Sequence, residues 1–168
     1  MCHFHAWGRP GPGRNAMAGL NHSFFLVRAS EFAPVEYDHF VTLPGEVELH
    51  DDLLRYMIDT LTWIPAHNPA RDEPCRGLSM YGATIIHAEG ARVAAAVFSM
   101  WAKLFALGPN DLDLTGGYAW VGADPSAGEY ERLHMERDVV CSRLNDLALR
   151  AEQVASGEGR FYLLHHGI

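Results

Sequence analysis

The stretch ARVAAAVFSMWAKLFAL, Ala91 to Leu107, decides how this chain is read: it holds only two charges, Arg92 and Lys103, and reads as a helix apolar on nearly every face. Such a helix must be enclosed by other elements or by a partner. Broken by Lys103 and rich in alanine, it falls short of the roughly 20 apolar residues needed to span a bilayer. Gly108-Pro109-Asn110 ends it sharply. Upstream, SMYGATIIHAEG places a buried strand at Ala83 to His87, with a turn at Glu89-Gly90 leading into the helix. Downstream, DLDLTGGYAWV alternates Leu112 and Leu114 with Asp111 and Asp113, then continues as a strand past a Gly116-Gly117 pair that reads as a bulge.

The same periodicities extend outward. HSFFLVRAS, from His22, has strand composition, and Glu31 to Gly45, punctuated by Pro34 and Pro44, reads as loop. A helix then opens on Asp51 and Asp52, carboxylates suited to its positive end. Leu53, Leu54, Met57, Ile58 and Leu61 follow at helical spacing, and Ile64-Pro65 closes it. His67 to Gly77 reads as an exposed loop. A long helix is predicted from about Glu129 to Ala155, on Tyr130, Leu133, Val140, Leu144, Leu147 and Ala151, and RFYLLHH forms the last strand. Residues 1–16, with three glycines, two prolines and no periodicity, read as a flexible arm. The expectation is one α/β domain over 17–168, a sheet of about four strands with three main helices packed on it.

At 168 residues the chain is long enough to bury a core without disulfides or metals. Three cysteines, Cys2, Cys75 and Cys141, form no close pair, which favours reduced thiols in a cytoplasm. The start of the chain lacks the apolar core of a signal peptide. The formal charge of −8 repels nucleic acid and anionic membrane surfaces and attracts a basic protein. Eight carboxylates stand between Glu31 and Asp59 against one Arg55, and five between Asp111 and Glu131 with no Lys or Arg. Either these runs are solvated faces or they steer a basic partner. Aromatic residues adjoin both runs, among them Tyr56, Trp63, Tyr118, Trp120 and Tyr130. The candidate partner-binding residues are therefore Glu46, Glu48, Asp51, Asp52, Tyr56, Asp111 and Asp113.

Ten histidines invite a metal reading, yet no zinc-ligand spacing is present. Cys2-His3-Phe4-His5 lies in the arm, and there is neither a His-Glu-x-x-His nor a paired Cys-x-x-Cys. His134 and Glu136, on the predicted helix, diverge by about 200°. Nucleophile motifs are missing too: no Gly-x-Ser-x-Gly occurs. Cys141 reads as a small buried hydrophobe, and Cys75, between Arg71 and Arg76, is the most exposed thiol, with arginines placed to lower its pKa. Gly8, Gly11 and Gly13 follow no strand and open no helix, so they form no phosphate loop. No catalytic, cofactor-binding or metal-binding residue is assigned.

Tyr81-Gly82-Ala83-Thr84, the run from Trp101 to Leu107-Gly108-Pro109, Leu114-Thr115-Gly116, Tyr130-Glu131-Arg132-Leu133, Arg137-Asp138 and the terminal Leu163-Leu164-His165-His166-Gly167-Ile168 give the span Leu53 to Ile168 a resemblance to small acidic bacterial proteins of the immunity class. The resemblance implies a cytosolic protein that binds a cognate secreted toxin and blocks it; no toxin and no binding residue carry over from it. The leading expectation is thus an immunity-type protein that occludes a basic toxin with an acidic, aromatic face. The alternative is a small metal-dependent hydrolase whose histidines and carboxylates converge on folding, around His87, His134 or His165. A third reading is a subunit whose apolar helix packs against a copy of itself.

Overall fold

The structure, a computed structural model, describes residues 20–31, 45–119 and 128–168. The expected arm and most of the loop between Glu31 and Gly45 lie outside those residues. The chain is α/β, with more strands than the sequence announces. In order run β1 (Asn21–Arg28), β2 (Val47–His50), the short helices α1 (Asp51–Tyr56) and α2 (Ile58–Leu61), β3 (Pro65–Asn68), β4 (Glu73–Arg76) and β5 (Ala83–Ile86). They are followed by α3 (Ala88–Phe105), β6 (Asp111–Ala119), β7 (Glu129–Glu136), α4 (Arg137–Ser156) and β8 (Phe161–His166).

Six strands form one sheet in the order β2-β1-β8-β5-β3-β4, and β6 pairs with β7 in a separate two-stranded sheet. Every described pairing is antiparallel. β1, β5 and β8 are nearly continuous apolar runs, the pattern of strands covered on both faces. Phe24, Leu163 and Ile86 face α3 and α4, while Phe25, Val27, Ile85, Tyr162 and Leu164 are buried on the opposite side.

α3 and α4 are each other's principal packing partners. Ala91, Ala94, Phe98 and Ala102 of α3 meet Leu144, Leu147, Ala151 and Val154 in the core. Alanine keeps the contact face of α3 low, and Gly90 lowers it further where the helix begins. A Cβ on Gly90 would sit 1.8 Å from the Pro65 carbonyl oxygen, so only glycine lets α3 press onto β3.

Three expectations are corrected. The helix predicted from Glu129 starts only at Arg137, because EYERLHME pairs with β6 as a hairpin that turns Leu133 and Met135 onto Leu114 and Leu112. His134 and Glu136 therefore lie on the same face of a strand and do not diverge. The expected exposed loop from His67 contains the β3–β4 hairpin, whose turn is closed by the Asn68 side chain accepting from the Ala70 and Arg71 amides. The helix from Asp51 is broken at Met57 into α1 and α2. The Gly116-Gly117 bulge is found where expected, as the register shift between Thr115 and Tyr118. Among the described residues no helix is long and apolar enough to cross a membrane.

Candidate functional site

β2 passes directly into α1. His50 sits at the junction in extended geometry, and its ring Nδ1 accepts from the Asp52 amide at 3.2 Å. This cap aims the first turn so that Asp51 points inward and Asp52 outward. Asp51 is 5% exposed, and its carboxylate receives Arg55 Nε, one helical turn on, at 2.6 Å and His22 Nε2 at 3.0 Å. Across the sheet, His22 Nδ1 lies 2.8 Å from His165 Nε2. The two rings are 10° from coplanar with centroids 5.1 Å apart, an edge-to-edge pair joined through nitrogen. Both histidines are fully buried.

The register explains the meeting. Phe24 of β1 is directly opposite His165 of β8, and His22 lies two residues before Phe24 on the same face. The result is a chain His165–His22–Asp51–Arg55 running from the core to the surface. Its proton order follows from the hydrogen bonds. Arg55 keeps Asp51 anionic, so His22 donates to it from Nε2; His22 Nδ1 and His165 Nε2 share the next hydrogen bond, and His165 Nδ1 is buried with no protein partner.

Desolvation alone would raise Asp51, but hydrogen bonds from His22 and Arg55, and then their charges, bring it below the ordinary carboxylate value. Burial pushes His165 well below the ordinary histidine value, with His22 and His166 adding to the effect. For His165 the neutral imidazole is therefore the stable form.

The surface end of this chain opens into a cleft of about 840 Å³ between α1 and the β6–β7 hairpin. Asp51, Asp52 and Arg55 line one wall, Tyr56 and Tyr118 flank it, and Glu131 faces them from β7. Three carboxylates thus share the cleft with one guanidinium, which Asp51 already holds. Tyr56 is fixed by edge contact with Trp101, ring centroids 5.8 Å apart, and Tyr118 by Tyr130 at 5.2 Å.

Of the seven residues singled out in the sequence, Asp51, Asp52 and Tyr56 come together here. Asp111 and Asp113 project from the exposed face of the hairpin, directly opposite Glu136 and His134. Glu46 is exposed ahead of β2, and Glu48 is half-buried on that strand. Arg143 of α4 donates to the Glu48 carbonyl at 3.1 Å, and Arg150 to that of Gly45.

Cys75 reverses its expectation: it sits half-buried in β4, where burial first and Glu73 second push its thiol up, away from thiolate character. Cys141 is packed against the core and its Sγ donates to the Ala102 carbonyl at 3.4 Å. Among the described residues no group of three or more His, Cys, Asp or Glu side chains is arranged to hold a metal ion. His22 is the residue that sequence reasoning missed. Its signal was present: both His22 and His165 stand two positions from a core-facing residue of an apolar strand, a place where an imidazole needs a partner.

No family model matches this chain, and no curated protein and no solved structure matches it either.

Proposed function

We propose that this protein is an immunity-type binding protein that neutralises a basic toxin by covering it with the acidic, aromatic surface around α1 and the β6–β7 hairpin. The observation that carries this reading is the cleft in which Asp52 and Glu131 converge between Tyr56 and Tyr118. An arginine or lysine side chain of the partner entering there meets two carboxylates and two aromatic rings, the chemistry that recognises a cation. Arg55 does not compensate the cleft, because its charge is engaged by Asp51 at 2.6 Å.

The hairpin's outer face supports the same reading. Asp111 lies directly opposite Glu136, with Asp113 two residues on. Directly opposed like charges destabilise a strand pair, and a basic surface laid over them relieves that repulsion. The chain's −8 extends the attraction beyond the contact and accelerates encounter.

The test is to capture the partner from the native host, identify it, and measure association rates. The expected partner is a basic polypeptide whose toxic activity the complex abolishes. Asp52→Arg combined with Glu131→Arg should slow association at least tenfold at low salt, and added salt should slow the wild type. A partner without excess Lys and Arg, or a rate indifferent to both substitutions, overturns the proposal.

A further inference from the structure

The apolar helix α3 is only half enclosed. Ala91, Ala94, Phe98 and Ala102 face the core, but Ala96, Met100 and Leu104 lie on the outside, with Leu107 in the turn just beyond. Trp63, in the turn after α2, stands beside them and completes the wall of a groove of about 390 Å³ floored by Val97 and Trp101. The hydroxyl of Thr60 at its edge is already bonded, accepting from Trp101 Nε1 at 2.8 Å and donating to the Met57 carbonyl at 2.8 Å. Nothing in the lining asks for a polar ligand.

We infer that a second copy of the chain covers this face, its α3 packed antiparallel on the first about a two-fold axis at Met100. Three observations identify the occupant. The exposed Ala96, Met100 and Leu104 are flanked by Val93, half-buried in the groove wall, and by Leu107 in the turn beyond the helix, and the set is spaced 3, 4, 4 and 3 apart, a pattern that reads the same in both directions. An axis at Met100 therefore sets Ala96 against Leu104 of the second copy, small against large, and Val93 against its Leu107. Such self-matching is what an isologous interface requires.

Charge points to the same occupant. Two chains of net charge −8 repel unless they meet on a surface poor in carboxylates: from Ala91 to Asn110 there is none, and Glu152 of α4, which lies beside Ala96 and Met100, shares that groove with Arg92. Lys103 is the single charge between Arg92 and Asp111, and no charged residue lines the groove between Trp63 and Leu104, so a charged peptide finds no counterpart in it. Area is the third argument. Trp63, Met100, Leu104 and Leu107 are 60%, 58%, 56% and 85% exposed. Covering them removes on the order of 500 Å² per protomer, about 1,000 Å² in the pair, the lower bound for a specific interface.

Sedimentation velocity on the full chain over a concentration series tests the pairing. The wild type should approach twice its 18.6 kDa mass as concentration rises. Met100→Arg places two like charges at the axis and should give a monomer with unchanged circular dichroism, since the residue is exposed. Ala96→Glu should also give a monomer, and adding Leu104→Lys should restore the dimer, because the two positions meet only across the axis and not within one helix. Leu149→Arg, on exposed α4, should leave the dimer intact. A wild type that stays monomeric, a dimer indifferent to Met100→Arg, a dimer broken by Leu149→Arg, or no recovery in the double variant overturns the inference.

Discussion

Two His–Asp pairs in this protein have the same chemistry and opposite settings. His22–Asp51 is enclosed, with side chains 0% and 8% exposed, whereas His134–Asp113 on the hairpin is open to solvent at 73% and 69%. In the first, each partner has further obligations: Asp51 holds Arg55 and His22 holds His165. In the second, water can replace either partner. The comparison teaches that the identity of a pair says little about its weight; what matters is whether solvent can take over when one member is lost.

The largest effect should come from breaking the enclosed pair. Asp51→Ala strips His22 and Arg55 of their acceptor and should cost about 3 kcal/mol in urea unfolding, with a lowered midpoint and an unchanged slope. Next comes His165→Leu. It removes one unpartnered buried nitrogen but leaves His22 Nδ1 in the same position, so the number of unsatisfied atoms is constant and the loss should be about 1 kcal/mol. At the small end, Asp113→Asn on the exposed pair should change stability by no more than about 0.5 kcal/mol. A loss there as large as that for Asp51→Ala would erase the distinction.

Acidification sharpens the contrast. The unfolded chain protonates His165 near pH 6.5, while the folded chain resists until well below that value. Stability is therefore unaffected by this group above about pH 6.5 and falls as pH drops beneath it, by up to about 1.4 kcal/mol per pH unit for each such histidine. His87 and His166, both lowered first by burial, act in the same direction. Urea titrations at successive pH values should show this decline, shallower in His165→Leu but not abolished. A flat profile in the wild type would show that the buried imidazole is already charged or hydrated.

The sequence disclosed whatever depended on local pattern. β1, β8 and α3 are apolar runs long enough to define themselves, β5 is short but marked by consecutive β-branched residues Thr84, Ile85 and Ile86, and the bulge at Gly116-Gly117 was marked by its glycines. β7 was hidden because Tyr130 and Leu133 are three apart, a spacing a helix shares, and only its pairing with β6 decides the matter. β2, β3 and β4 have four residues each, too few to show alternation, and Pro65 and Pro74 disguise the last two as loop. The buried relay lay beyond any local reading, since His22 and His165 are 143 positions apart and meet only through strand register. Asp51 illustrates the limit well: its place in the first turn of a helix was legible, but not that the turn would point it inward.

β8 is the last of these strands to leave the ribosome, yet it occupies the middle of the six-stranded sheet, between β1 and β5. Until it arrives, the nascent chain has two half-sheets with open edges and an Asp51–His22 pair still lacking His165. Assembly must therefore wait on translation, and a ribosome stalled before Phe161 would display β1 and β5 as unpaired, aggregation-prone margins.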